Sequence, residues 1–126
     1  MSDTTQTARG GAALFHRVLV VALPLLVLIQ ATLAGQYLFE QEDVIVLHGI
    51  LGNTSFAITV LLVVLAVVRR LSGLHFGLAV ALVVMTFAQV GLGYVGRDTA
   101  TAAAWHIPLG VAILGVSCYQ LALPRD

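Results

Sequence analysis

Four runs of apolar residues, each long enough to cross a lipid bilayer, constrain the fold of this chain more than any other feature. A helix needs about 20 residues to span the hydrocarbon core, and the runs cover about residues 12–39, 44–68, 74–95 and 100–123. Charged residues make up only 10 % of the chain, whereas a soluble domain carries about 25 %. The sequence therefore predicts an all-α, polytopic membrane domain over residues 12–126. We expect the polar residues 1–11 to form a disordered cytoplasmic tail.

The polar breaks between the runs are short. They read FEQED, RRLSG and GRDT, and connections of this length force neighbouring helices to run antiparallel. Backbone groups in lipid must be satisfied inside the protein, which excludes irregular spans. The predicted architecture is an up-down-up-down four-helix bundle.

The arginines predict the orientation of the bundle. Arg97 alone follows the third run, and the other five fall on the opposite side: Arg9, Arg17, Arg69, Arg70 and Arg125. Because positively charged residues concentrate in cytoplasmic loops, we expect both termini to face the cytoplasm of a bacterial plasma membrane. The net charge is zero, so nothing indicates binding to nucleic acid.

Polar residues recur in register between the two halves of the chain. The separation is 59 positions for His16 and His75 and for Gln30 and Gln89, and 58 positions for His48 and His106. This self-similarity predicts two repeated helical hairpins related by a pseudo-twofold axis along the membrane normal. Equivalent histidines would then pair, His16 with His75 near the cytoplasmic face and His48 with His106 near the outer face.

Histidines inside membrane spans are rare and are candidates for function. Two facing imidazoles without cysteine or carboxylate neighbours are too few for a closed zinc site, but they suit haem, whose porphyrin fills four coordination positions. We predict that His48 and His106 bind the iron of a haem b, with His16 and His75 as candidates for a second haem. A histidine at a helix end can also lie among the lipid headgroups, most plausibly in the cytoplasmic pair.

Two glycines follow the outer histidines at the same offset. Gly52 lies four residues after His48, and Gly110 lies four residues after His106. Residues at i and i+4 share a helix face, so each glycine would leave a bare patch where a macrocycle could lie. Close packing between helices is the alternative use of such glycines.

Gln30 and Gln89 lie 14 residues beyond His16 and His75. At 1.5 Å per residue this is about 21 Å, near the level of the outer histidines. Their amides could bind a haem propionate, an imidazole or a quinone, or could form an ordinary hydrogen bond between helices.

The stretch AQVGLGYVGRDTATAAAWHIPLG, together with LHGILG around the first outer histidine, resembles one four-helix half of haem A synthase. The pattern is also similar to small actinobacterial four-helix membrane proteins. The resemblance covers most of residues 25–115 and implies a haem site at His48 and His106. Haem A synthase has a glutamate three residues before the first ligand of its catalytic half, where this chain has Ile45. The resemblance therefore does not imply the oxidising activity.

Three functions are consistent with these features. The leading hypothesis is a b-type cytochrome for electron transfer or haem handling, with a quinone or a respiratory-chain protein as partner. The second is a cofactor-free accessory subunit of a membrane complex, since no catalytic motif is present. The third is an enzyme acting on haem or quinone, with Glu42 or Asp43 as the acid–base group. The sequence leaves a homo-oligomer open.

Overall fold

The computed structural model describes residues 2–39 and 43–124, and this part of the chain contains four long helices and no strand. The helices are α1 (Ser2–Leu38), α2 (Val44–Val68), α3 (Gly73–Val95) and α4 (Ala100–Ala122). Each contains a segment that is long and apolar enough to cross a membrane. The predicted all-α, four-span architecture is confirmed.

The helix bounds match the predicted ones within one residue, apart from the start of α1. This helix begins at Ser2, so it includes most of residues 1–11, for which the sequence predicted a disordered tail. The apolar span within α1 begins only at Gly10. A helix that has formed in the membrane extends outward because each added residue adds one hydrogen bond without a new nucleation step.

The four helices pack in cyclic order. Each contacts its neighbours along the chain, and α1 also contacts α4, so that α1 and α3, and likewise α2 and α4, lie on the diagonals of the described bundle. One large apolar side chain from each helix is fully buried at the centre of the core: Leu23, Leu62, Leu82 and Ile113. Side chains from diagonal helices therefore meet in the interior.

The two hairpins bury equivalent positions. Leu23 and Leu82 are separated by the same 59 positions as the first two histidines, and both are fully buried. Thr59 and Ser117 are separated by 58 positions, and both are also fully buried. This agreement favours the repeat of two helical hairpins that the polar residues predicted.

The outer surface of the bundle is apolar. Val18 on α1, Val64 on α2, Phe87 on α3 and Val111 on α4 are each at least 50 % exposed. Soluble monomers rarely expose apolar surface continuously, whereas lipid tails solvate it. The chain is therefore a multi-pass membrane protein whose outer surface lies in a lipid bilayer.

The turn between α2 and α3 is closed by a Schellman motif. Arg70 adopts the left-handed conformation with φ 54°, and its N–H donates to the carbonyl of Val67 at 3.1 Å. The N–H of Leu71 donates to the carbonyl of Ala66 at 3.0 Å. The carbonyls of Ala66 and Val67 are thereby satisfied, and the chain reverses directly after Arg69.

The bundle has two chemically different ends. We refer to the end that carries Arg17, Arg69 and Arg70 as the arginine-rich end. The other, which carries Arg97 and Asp98 after α3, is the opposite end.

Candidate functional site

His48 and His106, both half-buried, meet between α2 and α4 near the opposite end of the bundle. Their ring centres are 6.0 Å apart, and the ring planes are inclined at 54°. His48 lies one turn into α2 and His106 lies two turns into α4, so the pair joins two helices on a diagonal of the bundle. The structure thus brings these two predicted site residues together.

Each of these imidazoles is held by the helix that precedes its own. His48 Nδ1 lies 3.1 Å from the carbonyl oxygen of Gln30, and His106 Nδ1 lies 3.0 Å from the carbonyl oxygen of Gln89. A carbonyl oxygen only accepts hydrogen bonds, so Nδ1 must carry the proton and donate it. In a neutral ring, Nε2 then keeps its lone pair. Both histidines are therefore fixed in the tautomer that binds a metal through Nε2.

The glycines beside the histidines accommodate the glutamine side chains. A Cβ atom added to Gly52 would lie 3.2 Å from Oε1 of Gln30, and one added to Gly110 would lie 3.0 Å from Nε2 of Gln89. The sequence predicted bare patches for a macrocycle at these two positions. In the structure a glutamine amide covers each patch. The helix contact that positions each histidine also brings the glutamine side chain against the glycine.

The two glutamines differ in how their amides are satisfied. Gln30 donates from Nε2 to the hydroxyl of Ser55 at 3.1 Å. The position equivalent to Ser55 in the second half is Ile113, which offers no hydroxyl. Gln89 Oε1 is buried and has no hydrogen-bond partner among the described residues. The two halves of the repeat therefore differ in the hydrogen-bond partners of the glutamine amide.

Gly93 is a site residue that sequence reasoning missed. A Cβ atom at this position would lie 3.0 Å from Cε1 of His106 and 3.4 Å from Nδ1. The ring of His106 thus packs directly on the backbone of α3. A signal was present, since Gly93 lies four residues after Gln89 and shares its helix face.

Arg97 is a second residue whose place at the site was missed. Its guanidinium lies over the ring of Tyr94, 5.2 Å from the ring centre, and Asn53 donates to the Tyr94 hydroxyl at 3.1 Å. A Cβ atom on Gly49, the residue after His48, would lie 3.7 Å from Nη2 of Arg97. This arrangement places a positive charge beside the start of α2, next to the histidine pair.

His16 and His75 line one cavity at the arginine-rich end. Both are buried, and each has a polar neighbour at Nδ1: Arg69 Nη1 at 3.0 Å from His16, and Ser72 Oγ at 2.9 Å from His75. The structure therefore brings the second predicted pair to one cavity, but with different partners from those of the first pair.

Neither predicted acid–base group is brought to the histidines by a described contact. Asp43 is exposed at the start of α2 and does not cap the helix with its side chain. Glu42 lies outside the described residues. Within residues 2–39 and 43–124, no three histidine, cysteine or acidic side chains form a group that could hold a metal ion.

Comparison with protein families, curated proteins and solved structures finds no match to this chain. The resemblance to haem A synthase stays a sequence-based expectation. The functional argument therefore depends on the geometry of the site.

Proposed function

We propose that this protein binds one haem b through His48 and His106 and acts as a small b-type cytochrome of the membrane. The observation that carries the proposal is the pair of half-buried imidazoles whose ring centres are 6.0 Å apart. Each ring also donates Nδ1–H to a backbone carbonyl, which leaves Nε2 as the ligand atom.

The two imidazoles are close enough that both would be able to bind one metal ion through Nε2. First-row metals bond an imidazole nitrogen at about 2 Å. With only two ligands from the described residues, the remaining four positions suit a porphyrin. A closed zinc site would need further ligands from the protein.

Donation from Nδ1 to a carbonyl is what a metal-binding histidine requires of its surroundings. Such a bond fixes the tautomer and the ring orientation and raises the basicity of the other nitrogen. Both members of this pair have the bond, and each acceptor belongs to the equivalent glutamine of its own hairpin.

The surroundings of the pair offer further contacts to haem. Arg97 would supply the positive charge that a propionate carboxylate prefers. Of the two amides that cover glycines, that of Gln89 can turn away more easily, since its oxygen has no hydrogen bond to lose. The helix face at Gly110 is therefore where this chain could admit a macrocycle.

A bound haem would supply a one-electron iron couple. The distribution of arginines supports an orientation with the termini in the cytoplasm and the histidine pair towards the outer face of a bacterial plasma membrane. In that orientation we infer electron exchange with a quinone or a respiratory-chain protein at the outer side, or haem handling for such a partner.

A pyridine haemochrome assay on the purified protein, expressed with haem supplied, tests the proposal. We expect a Soret band and one haem b per chain. His48→Ala and His106→Ala should each lose the haem or bind it much more weakly. Any haem retained by either variant should bind carbon monoxide in its reduced form, because one of the two protein ligands would then be missing. His75→Ala is the matched control, since it removes an imidazole from the other end of the bundle.

Two results would overturn this assignment. The first is the absence of a Soret band from folded, haem-supplied protein, which would favour the cofactor-free accessory subunit. The second is equal haem content in His48→Ala, His106→Ala and the unsubstituted chain.

A further inference from the structure

A cavity of about 370 Å³ opens at the arginine-rich end of the bundle. All four helices or their ends contribute to it, and its polar lining consists of His16, Arg17, Arg69, His75 and Gln120. The rest of the lining is apolar. No aspartate or glutamate is among the described residues that line it.

His16, which lines this cavity, has a buried hydrogen-bond donor. A guanidinium only donates hydrogen bonds, so Nδ1 of His16 must accept from Nη1 of Arg69 at 3.0 Å. The proton of the neutral ring is then on Nε2. This atom is buried and has no partner among the described residues, and the residue is only 8 % exposed.

Gln120 presents a second buried donor. Its residue is 4 % exposed, and Nε2 has no hydrogen-bond partner in the described part of the chain. The equivalent position in the first half is Leu62, which is fully buried. A leucine therefore fits at this position in the hairpin, and the amide at Gln120 is not needed for packing. A buried, unsatisfied donor is unfavourable unless water or a ligand accepts its hydrogen bond.

We propose that this cavity binds a phosphate group, either that of a phospholipid headgroup or a free phosphate. Two buried donors without partners require an acceptor. The guanidinium group of Arg17, which also lines the cavity, favours an acceptor with negative charge. The cavity lies where α2 ends and α3 begins, at one end of the candidate membrane spans.

The tautomer of His16 distinguishes this cavity from the histidine pair at the opposite end. His48 and His106 keep a lone pair on Nε2, whereas His16 carries its proton there. An Nε2–H cannot bind iron, so the donor set at His16 suits an oxyanion rather than the second haem that the sequence suggested. This inference does not depend on the haem proposal.

Binding of lipids to delipidated protein in a zwitterionic detergent tests the inference. The probes are phosphatidylglycerol, a diacylglycerol with the same acyl chains, and inorganic phosphate as competitor. Native mass spectrometry gives the bound fraction. We expect phosphatidylglycerol to bind at least tenfold more tightly than diacylglycerol, because the latter lacks the phosphate.

Gln120→Leu is the principal variant, since it copies the leucine of the other hairpin and should fold. It should weaken phosphatidylglycerol binding about tenfold, which corresponds to one hydrogen bond to a charged group. Ser117→Ala on the same helix is the control, because that hydroxyl donates to its own backbone at Leu114. Arg17→Gln, at an exposed position, should also weaken binding without affecting folding.

Competition by inorganic phosphate would identify a site for phosphate from either source. Absence of competition, with phosphatidylglycerol still preferred, would identify the lipid headgroup as the source. The inference is overturned if diacylglycerol binds as tightly as phosphatidylglycerol. It is also overturned if Gln120→Leu and Arg17→Gln both bind like the unsubstituted chain.

Discussion

Gly93→Ala is the substitution that tests most directly whether the position of the His106 ring matters for haem binding. The new methyl group would lie 3.0 Å from Cε1 and 3.4 Å from Nδ1 of His106. Carbon atoms in contact prefer a separation of about 3.5–4.0 Å. The ring must therefore move away from α3 by about 0.5 Å or more.

That movement acts on the hydrogen bond that orients the ring. His106 Nδ1 donates to the carbonyl of Gln89, which belongs to the same helix as Gly93, at 3.0 Å. A retreat of about 0.5 Å stretches this bond beyond the usual range of 2.7–3.2 Å. Loss of such a partner typically lowers metal affinity by about 10–100-fold, which is about 1.4–2.8 kcal/mol. We expect haem affinity to fall within this range.

Titration of haem into the purified apoprotein, followed by the Soret absorbance, measures the effect. Gly91→Ala is the matched control, because it adds the same methyl group to α3 at a position where nothing lies within 4 Å among the described residues. The thermal stability of both apoproteins separates a local effect from unfolding. Equal haem affinity in Gly93→Ala and Gly91→Ala would refute the reasoning that the Gly93 contact holds the ligand in place.

Two further predictions concern the fold. Thr59→Val removes the contact between the hydroxyls of Thr59 on α2 and Thr86 on α3, which are 2.9 Å apart, and should lower the free energy of unfolding by about 0.6 kcal/mol. Steric-trap or denaturant unfolding in detergent measures this free energy. A loss above about 2 kcal/mol would contradict the prediction. Cys118→Ser first removes the single cysteine of the sequence. In that chain, a cysteine replacing Gly73 should be shielded from a membrane-impermeant maleimide in intact cells, whereas one replacing Asp98 should be labelled. The reverse labelling pattern would contradict the orientation predicted from the arginines.

The spans and their order could be predicted from the sequence, because hydropathy over 20 residues is a strong signal and short loops leave few ways to connect the spans. The start of α1 could not be predicted, since polar residues such as those before Gly10 are compatible with either a disordered tail or an extended helix. The pairing of His48 with His106 was also predicted, from the register of the two halves. The apolar residues alone would not have revealed that register.

The partners of the site residues could not be predicted. The acceptors for His48 and His106 are backbone carbonyls, and every residue has one, so the sequence carries no sign of which carbonyl is used. Gln30 and Gln89 were singled out for their amides, yet their backbone oxygens hold the histidines. The amides instead cover Gly52 and Gly110, an arrangement that depends on how closely neighbouring helices approach.

The two histidine pairs show why residue type and spacing are not sufficient to assign a ligand. His16 and His48 each have an equivalent in the other half, so the repeat makes both of them candidate haem ligands. Their Nδ1 atoms meet opposite partners: a guanidinium that must donate, and a carbonyl that must accept. One neighbour places the ring proton on Nε2 and the other leaves a lone pair there. The same residue type is thereby suited to an anion at one end of the bundle and to a metal at the other.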